Sequence, residues 1–437
     1  MSLPKVLIIG QPFKNNSGGG ITQANLFSGW DKNKIAVVCT IHMFNNLNTE
    51  LCNTYYLIGN KEYKWVFPFN LLQRNVISGG LKIDQKNINE TQPAAATKVA
   101  LRTRIINKYF YPFLEFVGLF HCISKITMSD TLCKWIDDYK PDVIYAQASS
   151  RETVLFCSLL TEYAKKPMVF HMMDDWPATI SEKGPFKNYW GKKIDSEFRI
   201  LLNNASVLLS ISDYMAQEYK NRYGKDFITF HNPIEIEFWK SYQRKTYKLN
   251  EAPVLLYAGR IGPGIQSSLE TIALAVDMAN TELDKPVQFI LQTELKPEWV
   301  EKYKCVKHKS LVAYKELPKV FAEADLLILP YDFSDDSVKF IKYSMPTKAP
   351  EYMMSGTPII VYAPEVTAIV KDAEKNKWAK LVTENNAAAL AGAVKHLCIN
   401  ENEREQIALN AISIAENKFN SVNVRNRFRE TISSMVN

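Results

Sequence analysis

The sequence predicts an α/β protein with two doubly wound domains, each built around a parallel sheet. Short apolar runs alternate with longer amphipathic segments in both halves of the chain, which is the pattern of parallel strands joined by helices. The chain has 437 residues, too many for one ordinary core, since a domain usually holds roughly 100 to 200 residues. A polar, charged stretch over 237–251 interrupts the alternation, so we expect the domain boundary near 233–250.

The composition narrows the class of protein. Hydrophobic residues make up 46% and charged residues 23% of the chain, values that exclude a largely disordered or collagen-like protein. The net charge of +7 is too small to indicate a nucleic-acid partner. The seven cysteines are scattered without a CxxC pair, which favours free thiols in a reducing cytoplasm over a disulfide framework or a zinc site. The apolar run at 6–10 is too short for a signal peptide, so we expect a cytoplasmic protein.

In the first half, apolar runs bounded by turn residues predict strands. They are residues 5–10, 35–40, 55–57, 143–146, 168–171, 207–212 and 228–230. Pro233 follows the last run and cannot continue it, so we predict an N-terminal domain over 1–235. Residues 59–129 break the alternation, and we predict an insertion there, irregular at first and helical in period over 99–128.

In the second half the same pattern predicts a second sheet. Its strands are residues 254–259, 287–292, 326–330, 358–362 and 380–382, with helices that include 267–280 and 387–398. We predict a C-terminal domain over 250–415. A C-terminal helix over 416–437 follows, either within this domain or crossing back to the first. Ligands of such folds bind at the carboxyl ends of the strands.

The first apolar run leads into the glycine-rich segment SGGGITQ at 17–23, which we expect to open a helix. Gly19 and Gly20 would let the backbone approach a phosphate closely, with helix amides aimed at it. The alternative is a flexible turn between strand and helix.

Residues 345–361, MPTKAPEYMMSGTPIIV, are the most informative stretch. A helix starting after Pro346 would present amides to a diphosphate, with Lys348 as a positive charge and Glu351 within reach of a ribose. Gly356 would end that helix before a strand. The alternative is a solvated helix face.

The order Pro-x-Lys-x-x-Glu-Tyr-Met-x-x-Gly-x-Pro-Ile-Ile in this stretch resembles the donor site of the retaining nucleotide-sugar glycosyltransferases of family 4. The resemblance implies the GT-B fold, in which an acceptor-binding N-terminal domain and a donor-binding C-terminal domain face a central cleft. It implies donor binding by Ser344, Pro346, Thr347, Lys348 and Glu351. The family often has a second glutamate where this chain has Tyr343.

Two further segments resemble the same family. Arg260, after the run Tyr257–Ala258–Gly259, corresponds to the arginine that faces the donor diphosphate, and arginine suits bidentate phosphate contacts. The alternative is an ion pair at a strand end. The family usually adds a lysine about five residues later, where this chain has Ile265 and Gln266.

His171 ends an apolar run and is followed by two carboxylates, Asp174 and Asp175. By resemblance it is the strand-end histidine beside the reacting sugar. Asp174 would orient an acceptor hydroxyl or act as a base, and the alternative is a cap on the following turn. The predicted catalytic residues are therefore His171, Asp174, Arg260 and Lys348.

The resemblance implies a retaining glycosyltransferase that uses a UDP- or GDP-sugar and a saccharide or lipid-linked acceptor, in the assembly of a surface polysaccharide such as capsule or O-antigen. We expect no metal and no other cofactor, because Arg260 and Lys348 can neutralise the leaving diphosphate. Two alternatives are open: a GT-B epimerase or phosphorylase, and a catalytically silent nucleotide-sugar binding subunit.

The predicted insertion contains basic residues among aromatic ones over 99–128. Arg102, Arg104 and Lys108 alternate there with phenylalanine and tyrosine. Such a stretch suits contact with anionic lipid on the inner face of the cell membrane, or an acceptor groove. The alternative is ordinary packing of a helix pair in the core.

Overall fold

The computed structural model describes residues 3–14, 17–44, 46–73, 75–83, 106–180 and 184–436. The chain divides into two compact units. The first extends to Phe230 and also contains the chain from Arg425 onward, and the second is His231–Val424. The polar stretch 237–251 belongs to the second unit, because Arg244 is buried there and its Nη2 lies 3.0 Å from a carboxylate oxygen of Asp325.

The first unit contains ten strands in its described part. They are β1 (Val6–Ile9), β2 (Ile35–Thr40), β3 (Thr54–Ile58), β4 (Tyr63–Trp65), β5 (Gly79–Lys82), β6 (Ser124–Ile126), β7 (Val143–Ala146), β8 (Met168–Met172), β9 (Val207–Ser210) and β10 (Ile228–Thr229). Eight of them form one sheet in the order β10-β9-β8-β7-β1-β2-β3-β5, parallel except for β5. The central strands are buried along their whole length, which explains their near-continuous apolar sequences.

The helices of the first unit cover this sheet. In the described residues they are α1 (Gly18–Phe27), α2 (Tyr111–Phe116), α3 (Asp130–Tyr139), α4 (Arg151–Ala164), α5 (Lys187–Asn204) and α6 (Asp213–Tyr223). Residues past Arg425 join them, since the Phe428 ring packs on Phe27, Tyr145 and Phe230.

The predicted insertion adds strands as well as helix. β5 extends the sheet as an antiparallel edge strand on β3, and β4 pairs with β6 in a separate ribbon. The buried Glu62 anchors this region, because it accepts hydrogen bonds from Tyr56 Oη at 2.7 Å and from the Gly59 amide at 3.2 Å. The expected helical period over 99–128 was wrong at Ser124–Ile126, which pairs as strand β6. Residues 99–105 lie outside the described residues.

The second unit has one parallel sheet in the order β13-β12-β11-β14-β15-β16. Its strands are β11 (Val254–Ala258), β12 (Gln288–Gln292), β13 (Val306–Lys309), β14 (Leu326–Pro330), β15 (Ile359–Tyr362) and β16 (Lys380–Val382). Neighbouring residues Leu255 and Leu256 belong to separate buried clusters on the two faces. Both faces are therefore covered, as a doubly wound sheet requires.

Nine α-helices are described in this unit and across its end. They are α7 (Ile236–Lys240), α8 (Gln266–Asn280), α9 (Leu317–Glu323), α10 (Asp335–Ile341), α11 (Ala349–Met354), α12 (Ala368–Asn376), α13 (Ala387–Ile399), α14 (Glu401–Lys418) and α15 (Ser421–Ser433). The predicted α/β class with two parallel sheets is confirmed. Within the described ranges, no helix combines the length and the apolar character needed to cross a membrane.

Candidate functional site

In the second unit, the candidate site begins where β11 ends. Gly259 follows this strand with a φ of +152°, a backbone region that side chains rarely tolerate. A Cβ atom at this position would lie 2.1 Å from the Lys348 amine nitrogen. Glycine at 259 therefore leaves the space that the lysine side chain occupies.

Lys348 precedes α11 and reaches back to the end of β11. Its Nζ donates to the carbonyl of Ala258 at 2.8 Å and lies 4.3 Å from the centre of the Tyr257 ring. Burial lowers the pKa of Lys348 to about 7, with Arg260 adding to the shift and Glu351 opposing it. The amine is thus held at the strand end by a carbonyl and an aromatic face, both of which favour a cation.

Glu351 lies in the first turn of α11, three residues after the lysine, and is 7% exposed. Burial raises the pKa of Glu351 to about 7, while Lys348 and a hydrogen bond from Tyr314 oppose the shift. Because each group stabilises the charged form of the other, the two form a coupled acid and base beside the strand end.

Arg260 is exposed immediately after Gly259. Its backbone carbonyl accepts a hydrogen bond from Tyr257 Oη at 2.6 Å. Its guanidinium makes no ion pair or hydrogen bond with any residue that the structure describes, so the alternative of a strand-end ion pair does not hold there. The arginine acts on Lys348 through its charge. Two cationic groups therefore meet at the carboxyl end of β11.

The segment that leads into α11 differs from the expectation. The helix begins at Ala349 instead of directly after Pro346, and it has 6 residues. Pro350 occupies its first turn and has no N–H group, so fewer amides point out of this end than a helix from 347 would offer. The carbonyl of Thr347 accepts a hydrogen bond from Asn232 Nδ2 at 3.0 Å.

The remaining predicted donor residues of this segment lie in the turn before α11. Ser344 donates its amide to the carbonyl of Ile341 at 3.0 Å, and Pro346 accepts from the Ala349 amide at 2.9 Å. The structure thus brings Arg260, Lys348 and Glu351 together, and places the other three in the turn that positions the lysine.

In the first unit, the glycine-rich segment forms the start of α1. A Cβ atom at Gly20 would lie 2.7 Å from Ser17 Oγ, and one at Gly19 would lie 3.1 Å from Gln11 Oε1. Lys14 Cβ would also lie 2.7 Å from a Cβ atom at Gly20, so a side chain is excluded there, whereas at Gly19 the nearest atom is the end of a flexible glutamine. These contacts explain Gly20 without a ligand, and phosphate contact by Gly19 and Gly20 stays a prediction.

His171 lies near the end of β8 and is 1% exposed. Its Nδ1 is 2.6 Å from Tyr145 Oη. Its Nε2 is also buried and has no hydrogen-bond partner among the described residues. Burial lowers the pKa of His171 to about 3, with the backbone of Ser210 opposing the shift. The ring is therefore neutral at physiological pH.

The structure separates the two carboxylates that follow His171. Asp175 is 1% exposed, accepts from Tyr219 Oη at 2.8 Å and receives both terminal nitrogens of Arg222 at 2.9 and 3.1 Å. Asp174 is exposed. The buried carboxylate is thus fully occupied in holding α6 to the strand end, and the exposed one is the candidate for acceptor contact.

The roles of several residues that shape these sites were not predicted from the sequence. The Tyr257 ring lies under Lys348, the Tyr314 side chain interacts with Glu351, and Tyr145 binds His171. Tyr257 and Tyr145 lie on buried strands, where alternation fixes which face a side chain occupies but not what it contacts. In the described part of the chain, no group of three or more His, Cys, Asp or Glu side chains is arranged to hold a metal ion.

Comparison with known proteins bears on these sites. Residues 252–400 match the family of glycosyl transferases group 1. The matched residues lie within the second unit. The matched range includes Arg260, Lys348 and Glu351. No curated protein matches the chain.

Solved structures with similar folds cover nearly the whole chain. HepE from Anabaena, solved in complex with UDP, is 15% identical with a TM-score of 0.58, over 98% of this chain and 100% of that one. Sucrose-phosphate synthase from Thermosynechococcus elongatus is 12% identical with a TM-score of 0.61, over 98% of each chain. A UDP-forming α,α-trehalose-phosphate synthase from Burkholderia xenovorans is 10% identical with a TM-score of 0.57, over 100% of each chain. The predicted GT-B fold is thus confirmed.

Proposed function

We propose that the protein is a glycosyltransferase that takes its sugar from a nucleotide diphosphate donor, a UDP- or GDP-sugar. The observation that carries this proposal is the convergence of Arg260 and Lys348 at the end of β11, with Glu351 one helical turn beyond. A leaving diphosphate gains negative charge as the sugar–oxygen bond breaks, and two basic side chains at the end of one strand suit that change. HepE, also solved with UDP-glucose, lends support.

Each residue has a role in this proposal. Arg260 binds the diphosphate through its planar guanidinium, and Lys348 contributes a charge that strengthens as the diphosphate leaves. Glu351 accepts a hydrogen bond from a ribose hydroxyl. Since two cations neutralise the leaving group, the proposed reaction needs no metal and no other cofactor. Retention of the anomeric configuration is part of the proposal and is supported by the resemblance of residues 345–361.

For the acceptor, we propose a saccharide or lipid-linked saccharide in the assembly of a surface polysaccharide. His171 and the exposed Asp174 at the end of β8 are the groups of the first unit that would face it. We include peripheral contact with an anionic membrane, since the described part of the insertion exposes aromatic side chains: Phe67 is 79% exposed, and Phe113 and Phe116 are 58% exposed. Lys108 accompanies them, whereas Arg102 and Arg104 lie outside the described residues.

Donor chemistry tests the central proposal. Thermal-shift screening with UDP-, GDP- and ADP-sugars would identify the nucleotide, and release of nucleoside diphosphate with and without oligosaccharide acceptors would measure turnover. We expect one sugar nucleotide to be cleaved, and Lys348→Met to abolish cleavage. Activity that withstands a strong chelator would support the cationic leaving-group site, and activity lost with chelator and restored by one metal would refute it.

Other outcomes would select the alternatives. Binding of a sugar nucleotide without cleavage would indicate a silent binding subunit, the alternative favoured by Tyr343 and Ile265 in place of the family's charged residues. A change in the donor sugar itself would indicate an epimerase, and phosphate-dependent cleavage would indicate a phosphorylase. Proton NMR of the first product formed would decide between retention and inversion.

Vesicle sedimentation tests the membrane contact. We expect the wild type to bind anionic vesicles at low salt and a variant with Arg102, Arg104 and Lys108 changed to glutamate to stay in the supernatant, since each basic residue near such a surface contributes about 1 kcal/mol. A variant with glutamate at Lys304, Lys307 and Lys309 carries the same change of charge in the second unit and serves as the control. Equal sedimentation of the two variants would refute a contact through the insertion.

A further inference from the structure

A chain of buried hydrogen bonds runs from the glycine-rich segment to His171. Gln23 Nε2 donates to the backbone carbonyl of Gln11 at 2.9 Å, and Gln147 Nε2 lies 2.9 Å from Gln23 Oε1. The same nitrogen of Gln147 is 3.3 Å from Tyr145 Oη, which is 2.6 Å from His171 Nδ1. The four side chains that make these hydrogen bonds are between 0% and 8% exposed, so water does not compete for the bonds.

The direction of every bond in this chain follows from its first acceptor. A backbone carbonyl can only accept, so Gln23 must turn its NH₂ group toward Gln11 and its oxygen toward Gln147. Gln147 must then present its own NH₂ group to that oxygen. Its second N–H points at Tyr145, whose oxygen accepts it, and the hydroxyl proton of Tyr145 is left to be donated onward.

The acceptor of that proton is His171 Nδ1. If Nδ1 carried a proton instead, Tyr145 Oη would receive two donors, and its own proton would find no acceptor among the residues described. An unpaired buried donor is costly. Nδ1 is therefore the unprotonated nitrogen, and the ring proton is on Nε2.

We propose that Tyr145 is a positioning residue which, oriented by Gln147, holds His171 as the neutral Nε2–H tautomer. Within the proposed transferase, on which its use depends, the end of β8 then offers a hydrogen-bond donor and not a base. Burial keeps the pKa of His171 low, so the donor persists across physiological pH. Nε2 is buried and makes no hydrogen bond of standard geometry in the described part of the chain, and the Ser210 backbone beside the ring favours its proton.

Ring-nitrogen NMR tests the assignment in the intact protein. Histidine labelled with ¹⁵N reports which ring nitrogen carries the proton, and the His171 signals are assigned by their loss in His171→Gln. We expect the wild type to show Nε2–H and no second tautomer. An ionised carboxylate in Gln147→Glu can only accept from Tyr145, so at a pH where the new side chain is ionised Tyr145 must accept from His171 and the proton moves to Nδ1.

Two further variants test the same assignment in case the Gln147→Glu protein does not fold. Tyr145→Phe removes the donor, and the ratio of Nε2–H to Nδ1–H should fall about 2- to 12-fold, the range that a net hydrogen bond supports. Tyr55→Phe is the control, because Tyr55 is equally buried in the same sheet and takes no part in the hydrogen bonds that lead to His171. It should leave the His171 tautomer unchanged.

The result is independent of whether the protein transfers sugar. A wild type with the proton on Nδ1, or a Gln147→Glu variant that retains Nε2–H when its carboxyl is ionised, would overturn the proposal even in an active enzyme. If the predicted tautomers appear but no sugar nucleotide is cleaved, the proposed function fails and the positioning assignment stands. In an active enzyme, kcat of Gln147→Glu should fall in proportion to the lost Nε2–H population.

Discussion

Gly259→Ala is the sharpest test of how the second unit holds Lys348. The added Cβ atom would lie 2.1 Å from the lysine Nζ and 3.1 Å from its Cε. The far end of a lysine is flexible, so we expect the amine to leave its place and lose its 2.8 Å hydrogen bond to the Ala258 carbonyl. The backbone also strains, since φ is +152° and such conformations cost roughly 1 to 3 kcal/mol in a residue with a side chain.

The two consequences can be measured separately. In the proposed site the displaced amine also loses its contact with the diphosphate, and since a hydrogen bond to a charged group contributes about 1.5 to 3 kcal/mol, affinity for a nucleoside diphosphate should fall about 10- to 150-fold. Isothermal titration calorimetry measures this affinity, and urea unfolding measures the strain. Gly392→Ala is the control: it lies within α13 of the same unit, no atom comes within 4 Å of its Cβ, and it should leave binding unchanged.

A double variant decides whether the glycine acts through the lysine. In a Lys348→Met background there is no amine to displace, so Gly259→Ala should cost stability but no further affinity. Losses that add up in the double variant would refute the argument, as would a Gly259→Ala protein that binds the nucleotide like wild type while Lys348→Met does not.

The remaining predictions concern the charged groups. Arg260→Ala should lower kcat more than it weakens donor binding, because the diphosphate gains charge in the transition state; equal losses in steady-state kinetics and calorimetry would instead mark a ground-state contact. Because the pKa of Glu351 is raised in the folded protein to about 7 from 4.5, the protonated carboxyl stabilises the fold below pH 4.5 and this contribution is lost as the pH rises to 7. Glu351→Gln should therefore gain stability relative to wild type over that interval, by roughly 3 kcal/mol at most, in urea unfolding at a series of pH values; a constant difference would contradict the shift. Asp175→Asn should lower the free energy of unfolding by about 2 kcal/mol, less than for a fully buried pair because Arg222 is partly exposed and keeps Glu218, whereas Asp174→Asn should change it by less than about 0.5 kcal/mol.

Most of the strands that the sequence predicted are buried along their length, and the two edge strands that it also predicted, β10 and β16, have only two and three residues. A short continuous apolar run such as Val254–Ala258 is typical of a strand that is covered on both faces of a parallel sheet. The strands that it missed lie at sheet edges or in the insertion. β13 reads Val-Lys-His-Lys and alternates between half-buried and exposed residues, and β5 begins with two glycines. Edge strands need only one covered face, so their composition resembles that of a loop.

The candidate site was predictable as a set of residues but not as a geometry. The spacing of Lys348 and Glu351 indicated one helical turn, and the two do lie at the start of α11. The burial of the Lys348 and Glu351 side chains was not predictable. It depends on Tyr257 beside the lysine and Tyr314 beside the glutamate, which come from distant parts of the chain. Likewise, adjacent carboxylates 174 and 175 look equivalent in sequence, and only the position of Arg222 shows which is structural.

The glycines that follow the first strand of each sheet show how one backbone feature can serve two ends. Gly10 after β1 and Gly259 after β11 both have positive φ, +102° and +152°. At Gly10 a Cβ atom would lie 2.4 Å from the backbone carbonyl of Gln147, which cannot move without distorting β7. An alanine there would therefore lower the free energy of unfolding. At Gly259 the nearest atom is the end of a flexible, ionisable side chain, so the cost of alanine divides between local strain and the position of a charge. The same conformation is therefore architectural in the first unit and, if the lysine serves the leaving group, functional in the second.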